Sequence, residues 1–225
     1  MINLTDEELK DIYTEDYVSK YHKEDTGRLK NVIENIDFNK DDNVIDFACG
    51  NGLLAGIIAD KVNHYTGIDF SKPFIEDARK RNNSLKNVDF IESDIVQFNK
   101  NHQNTFSKAF TMDFSEHIYD EQFITIYRSI YDSLKNGGEL FIHTPDGNYF
   151  LEILKARGIL KQVTGHIAVR NFMEYKRLLQ EVGFSKIEHK TLPHYVPILK
   201  KLSFLSKVPL IGKYFKARIF IKCTK

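Results

Sequence analysis

Several things are scarce in this chain of 225 residues, and each scarcity excludes something. It has two cysteines, a formal net charge of +1, and no apolar run near the roughly 20 residues that would span a bilayer. Cys49 and Cys223 lie far apart and form no metal-type spacing, so neither a disulfide scaffold nor a cysteine-held metal is expected. Two such thiols fit a reducing, cytoplasmic compartment. The near-neutral balance argues against a nucleic-acid partner, which calls for a strong basic excess. Residues Met1 to Leu9 are acidic and polar, unlike a signal peptide. No internal repeat or low-complexity tract occurs. Acid is missing from one stretch: from His189 to Lys225 there is no Asp or Glu, while nine Lys and Arg fall there.

What is present reads as alternating elements. Tyr13, Tyr17 and Tyr21 recur at four-residue spacing on one side of an opening helix, and Leu29, Val32, Ile33 and Ile36 share a face of a second. Strands are expected at Asn43 to Phe47, His64 to Asp69, Val88 to Ile91, Ser107 to Met112 and Glu139 to His143. Helices are expected at Lys72 to Arg81, with Ser71 as N-cap, and at Glu121 to Leu134, stopped by Asn136-Gly137-Gly138. Gly147 to Gly165 reads as an insertion with a short helix. Asn171 and Glu174 form a capping-box pattern on a helix ended by Gly183. Two last strands follow, Lys186 to Lys190 and Ala217 to Lys222, making seven. This order implies an α/β fold with a doubly wound, mostly parallel sheet, whose ligands bind beyond the carboxyl ends of the strands. Asp46, Asp69, Asp94 and Asp113 sit at such ends.

The stretch Val44-Ile45-Asp46-Phe47-Ala48-Cys49-Gly50-Asn51-Gly52 is a strand, a glycine turn and then a helix start, where a ligand can approach bare backbone. Gly50, Gly52 and Ala55 satisfy a loose dinucleotide fingerprint, which by itself leaves a nicotinamide cofactor open. Asp46, four residues before Gly50, weighs against a pyrophosphate and favours a ligand with a cationic amino-acid part. Asp69 suits ribose hydroxyls, and Asp94 an adenine amine.

Together with Gly67-Ile68-Asp69-Phe70-Ser71, Glu92-Ser93-Asp94-Ile95 and Leu134-Lys135-Asn136-Gly137-Gly138-Glu139-Leu140, that stretch resembles the class I S-adenosylmethionine-dependent methyltransferases over residues 40 to 145. One departure is Ala48, where the family usually has Gly. The resemblance implies a Rossmann-like methyltransferase fold and S-adenosyl-L-methionine as cofactor, held by Asp46, Ala48, Gly50, Gly52, Asp69, Phe70, Asp94, Ile95 and Met112. It also implies an N-terminal helical lid over 1–38, with Tyr17 and Tyr21 covering the cofactor. The rest divides into a core at 39–145 and a C-terminal half at 146–225, with cap insertions at 147–168 and 192–215, all in one domain.

Met112-Asp113-Phe114-Ser115-Glu116-His117-Ile118 is similar to the acid-x-x-Glu-His pattern of ubiquinone-biosynthesis-type O-methyltransferases. Asp113, Glu116 and His117 could hold a divalent metal, since two carboxylates and an imidazole suit a hard to borderline dication. The preferred reading is that Glu116 and His117 orient the loop, with no metal expected. As catalytic candidates His117 comes first, then His143 at the fifth strand's end, with Glu116 beside them. His166 and Tyr149 are candidates to face the substrate. The expected reaction is methylation of a small-molecule acceptor at oxygen, in the making of a quinone, glycan or other secondary metabolite. Alternatives are N- or C-methylation of a nucleotide-linked sugar or lipid, a nicotinamide-dependent oxidoreductase, and a non-catalytic binder. No Tyr-x-x-x-Lys pair appears at the site where the oxidoreductase would need it, and Asp46 before the turn also argues against that class. The acid-free segment at 190–225 is read first as a cap over the acceptor, and second as a contact with an anionic acceptor or membrane. A monomer or homodimer is expected.

Overall fold

The computed structural model of the chain describes residues 27–225. The expected lid tyrosines Tyr13, Tyr17 and Tyr21 lie outside the described residues. Helix α1 (Gly27–Ile33) precedes β1 (Asn43–Phe47), and a short α2 (Ala55–Ile58) follows the glycine turn. The pattern continues with β2 (His64–Asp69), α3 (Lys72–Arg81), β3 (Val88–Glu92), α4 (Ile95–Asn99), β4 (Phe106–Met112) and α5 (Asp120–Ser133). Then come β5 (Leu134–Pro145), α6 (Phe150–Ala156), α7 (Phe172–Val182), β6 (Lys186–Leu192), α8 (Pro197–Lys201) and β7 (Arg218–Thr224).

These strands form one seven-stranded sheet in the order β3-β2-β1-β4-β5-β7-β6. The five strands from β3 to β5 run parallel, and β7 lies antiparallel between β5 and β6. The period-two alternation of a strand sends Ile45 and Phe47 of β1 to one face and Val44 to the other. On the first face α4, α5 and α7 bring Phe98, Phe123, Tyr127, Ile130, Tyr175 and Leu178 into the core. On the second face α1, α2 and α3 supply Val32, Ile33, Ile58, Ile75 and Ala78. Both faces are therefore covered, as a parallel sheet requires. Each fully buried Ile, Leu or Phe contributes about 1.5–3 kcal/mol of apolar burial, so these two helical layers hold the sheet.

Two local features differ from expectation. Ser71 stands at the N-cap of α3, yet its side chain makes no cap bond; its N–H instead donates to Asp69 Oδ1 at 2.9 Å. Helix α5 passes into β5 at Leu134, without the break expected at Asn136-Gly137-Gly138. Leu134 pairs with Phe106 before a register shift, and the glycines lie within the strand beyond it. The capping box of α7 forms as expected: Asn171 accepts from the N–H groups of Met173 and Glu174, and Glu174 accepts from Asn171 N–H. Finally, the connection from β6 to β7 is built of α8 and two tight turns at 202–207 and 212–215.

Candidate active site

At the carboxyl ends of β1, β2 and β4 the chain opens a cavity of about 770 Å³, within the range of small-molecule sites. Its floor is the turn after β1. Ala48, Gly50 and Gly52 all have positive φ, at 55°, 52° and 71°. A side chain on Gly52 would meet Phe90 and Asn82 at 2.8 Å, so close packing under the turn requires glycine there. Ala48 adopts the left-handed conformation despite its Cβ, so the family's usual glycine is replaced at a local cost. Cys49 N–H bonds the Ile68 carbonyl, Gly52 N–H the Cys49 carbonyl, and Asn82 Nδ2 the Gly52 carbonyl, which ties the turn to β2 and α3.

Two carboxylates sit on this floor. Asp46 is buried, and Oδ2 accepts from the Tyr65 hydroxyl at 2.7 Å. Among the described residues its Oδ1 has no hydrogen-bond partner. Burial pushes its pKa up to about 7, and the neighbouring Asp69 charge adds to the rise. Asp69 accepts from Gly50 N–H at 3.0 Å and from Ser71 N–H, and burial still raises its pKa to about 6. An orphaned buried acid oxygen and a second acid beside it fit a ligand bearing an ammonium and hydroxyl groups. The adenine side of the expected site is lined by Phe70, Asp94, Ile95 and Met112. Asp94 also caps α4 by accepting from Gln97 N–H at 3.0 Å.

The opposite part of the same cavity is lined by Glu116, His117 and His166. The turn holding the first two is fixed by Arg170, whose guanidinium donates to the carbonyls of Ser115 and Ile118 and pairs with Asp120. Glu116 is buried and accepts from Thr144 Oγ1 at 3.1 Å. His117 Nδ1 lies 2.9 Å from the Gly165 carbonyl, so this nitrogen carries the proton and Nε2 is the basic one. Burial lowers the pKa of His117 to about 4 and that of His166 to about 3, so both rings are neutral at physiological pH. The rings meet edge to face at 5.0 Å. One ligand atom from each of Glu116, His117 and His166 lies within 4.8 Å of the others.

This donor set is not the expected one. Asp113, with φ of 54°, also lines the cavity but forms an ion pair with Arg218, and His166 takes its place beside Glu116 and His117. His143 was expected at the rim; it is buried instead and does not line the cavity. Arg218 Nε donates to its Nε2 at 3.3 Å, and Asp113 lies 3.4 Å from its Nδ1. Tyr149 is also off the cavity, buried against Phe150 and His194. Sequence reasoning missed Arg170 and Arg218, whose partners are set by tertiary contact alone. It also missed Gln122 and Thr125 of the lining, whereas Tyr195 falls in the segment expected to cap the acceptor. For α5, the amphipathic period could have shown which residues face away from the core.

Residues 44–138 match the profile of a methyltransferase domain. Over those residues the chain carries a methyltransferase domain of the class I S-adenosylmethionine-dependent kind. Among curated relatives of this methyltransferase is the ubiquinone biosynthesis O-methyltransferase of Citrobacter koseri, 28% identical over 69% of this chain and 66% of that protein. The enzyme of the same name from Escherichia coli is 27% identical over 69% and 67%. The chain therefore aligns with about two thirds of the length of these relatives. In fold it is similar to phosphoethanolamine N-methyltransferase 2 of Haemonchus contortus, solved with phosphomonomethylethanolamine and S-adenosylhomocysteine. That match has a TM-score of 0.71 at 18% identity and covers 99% of this chain and 61% of that one. A methyltransferase from Archaeoglobus fulgidus aligns with a TM-score of 0.69 at 16% identity, over 89% and 92%.

Proposed function

We propose that the protein transfers the methyl group of S-adenosylmethionine to a hydroxyl oxygen of a small-molecule acceptor, and that His117 receives the proton. The observation that carries this reading is the sharing of one cavity by the Asp46–Asp69 floor and the neutral His117–His166 pair. Asp46 would take the methionine ammonium, Asp69 the ribose, and Asp94 with Ile95 the adenine. The names of the curated relatives support oxygen as the atom methylated.

The acceptor oxygen attacks the methyl carbon in line, the carbon–sulfur bond breaks, and its electron pair returns to sulfur. Positioning supplies much of the rate in such a displacement. The hydroxyl proton passes to His117 Nε2. A pKa near 4 is too low for the imidazole to ionise the acceptor beforehand. It is ample to receive a proton from the oxygen once methyl transfer has begun, because a protonated ether is a far stronger acid than imidazolium. His117 thus acts late in the step.

A second reading is favoured by His166, whose Nδ1 is buried with no hydrogen-bond partner among the described residues. Two neutral imidazoles and a carboxylate suit a divalent cation, which would be held by Glu116, His117 and His166. Bound there, it would lower the pKa of an acceptor hydroxyl. The test of the main reading is formation of S-adenosylhomocysteine with a panel of phenolic, sugar and amine acceptors, with the methylated atom located by mass spectrometry and NMR. Turnover on amines alone would overturn oxygen as the acceptor atom.

A further inference from the structure

We propose that the connection between β6 and β7, residues 195–216, seats the protein on an anionic lipid bilayer, with Leu210 and Phe204 entering the apolar boundary. This goes beyond methyl transfer and does not depend on it.

The connection is anchored at both ends and bare in the middle. His194 packs on Tyr149 with ring centroids 5.9 Å apart, and Phe215 packs on Phe150 at 5.5 Å. Between them Ile198, Phe204 and Leu210 are 76%, 65% and 93% exposed. Leu210 is held outward by a tight turn. Ile211 N–H bonds the Pro209 carbonyl and Gly212 N–H the Val208 carbonyl, both at 2.9 Å. A side chain on Gly212 would lie 2.4 Å from the Ser206 carbonyl. Leu210 itself has φ of 69°, a conformation that costs a β-substituted residue energy and that Gly would adopt freely. A strained backbone that displays an apolar side chain to water gains nothing within this chain, so the benefit lies outside it.

Charge names the occupant. Lys200, Lys201, Lys207 and Lys213 are exposed, and none makes an ion pair among the described residues. Residues 190–225 hold nine basic side chains and no acid, whereas residues 1–189 hold 23 against 31 acids. An anionic surface would therefore attract this segment and repel the remainder, which orients the molecule. Lysines interleaved with bare Leu, Ile and Phe are the composition of elements that lie in a bilayer interface, whereas lysine is depleted in the cores of protein interfaces. No helix among the described residues is long and apolar enough to cross the membrane, so the contact would be peripheral. Tyr195, which also lines the cavity, places this surface beside the acceptor's entrance.

The test is co-sedimentation of the full chain with vesicles of phosphatidylcholine alone and of phosphatidylcholine mixed with phosphatidylserine. Binding is expected to the mixed vesicles only, weakening as salt is raised. Leu210→Gly removes the apolar group and relieves the strained φ. It should weaken partitioning roughly tenfold or more while leaving the thermal midpoint unchanged or higher. The double change Lys200→Gln, Lys201→Gln should weaken it roughly fivefold per charge at low salt. Equal recovery with both vesicle types, or wild-type partitioning by Leu210→Gly, overturns the proposal. So does light scattering that shows a wild-type dimer turned to monomer by Leu210→Gly. Binding of S-adenosylmethionine, measured on the same samples, is unchanged by these variants, so failure here and failure of the transfer reading are told apart.

Discussion

Asp46 makes the affinity for S-adenosylmethionine depend on pH. Its carboxyl is buried, shares one oxygen with Tyr65 and has a pKa near 7, so in the ligand-free protein it is half protonated at neutrality. The proposed ammonium contact needs the ionised form. With a pKa of about 7, about one molecule in eleven is ionised at pH 6 and about ten in eleven at pH 8, so the dissociation constant should rise about tenfold from pH 8 to pH 6. Asp69, with a pKa of about 6, would add at most about twofold at the acid end. Binding at pH 7 should release about half a proton from Asp46. Titration calorimetry at pH 6, 7 and 8, in buffers of different ionisation enthalpy, reads both quantities. Asp46→Asn should bind more weakly than wild type at pH 8 and lose the pH dependence. The same raised pKa affects folding. Because it lies above the unfolded value of 3.8, stability from this group is fully present below about pH 4 and is lost as the pH rises to 7. The ligand-free Asp46→Asn protein should therefore melt higher than wild type at pH 8. An affinity equal at pH 6 and pH 8, with no proton released, would refute the reasoning.

Three further outcomes follow from the same geometry. His117→Ala should lower kcat by about a hundredfold or more with little change in cofactor affinity, whereas Asp69→Ala should weaken that affinity first; equilibrium binding and turnover separate the two. Gly52→Ala places a Cβ 2.8 Å from Phe90 and should cost about 2 kcal/mol or more, read as a lower thermal midpoint, while Ala48→Gly should leave the midpoint equal or raise it. If Glu116, His117 and His166 hold a divalent cation, chelation should abolish turnover and re-addition of the metal restore it, with His166→Ala weakening the metal dependence.

The first two strands and α3 were legible to the residue because each is a dense apolar or periodic run closed by a polar signal: Asn43 to Phe47, His64 to Asp69, and Lys72 to Arg81. The acids of the floor were legible for a related reason, since a strand end in a parallel sheet fixes where a residue lies. It does not fix which way the side chain points. His143 and Asp113 stand at such ends, yet Arg218 from β7 draws both toward itself. His166 lies in an insertion with no regular period; it is brought to the site by its packing on His117, by the Gly165 carbonyl on His117 Nδ1, and by the N–H groups of Ile167 and Ala168 on the Glu116 carbonyl. The boundary at Leu134 was misread because glycines that stop a helix in isolation are here accommodated in an extended, shifted strand.

The position of β7 also has a consequence for synthesis. Of the described elements it leaves the ribosome last, yet it occupies the interior of the sheet, and β6 reaches β5 only through it. Until β7 arrives, β5 presents a bare edge of unpaired backbone groups, and Asp113 lacks the guanidinium that neutralises it. A nascent chain would carry every residue of the cofactor floor while still open along one side. The site matures only when the final strand threads into place, so truncation there should be felt as aggregation before it is felt as lost catalysis.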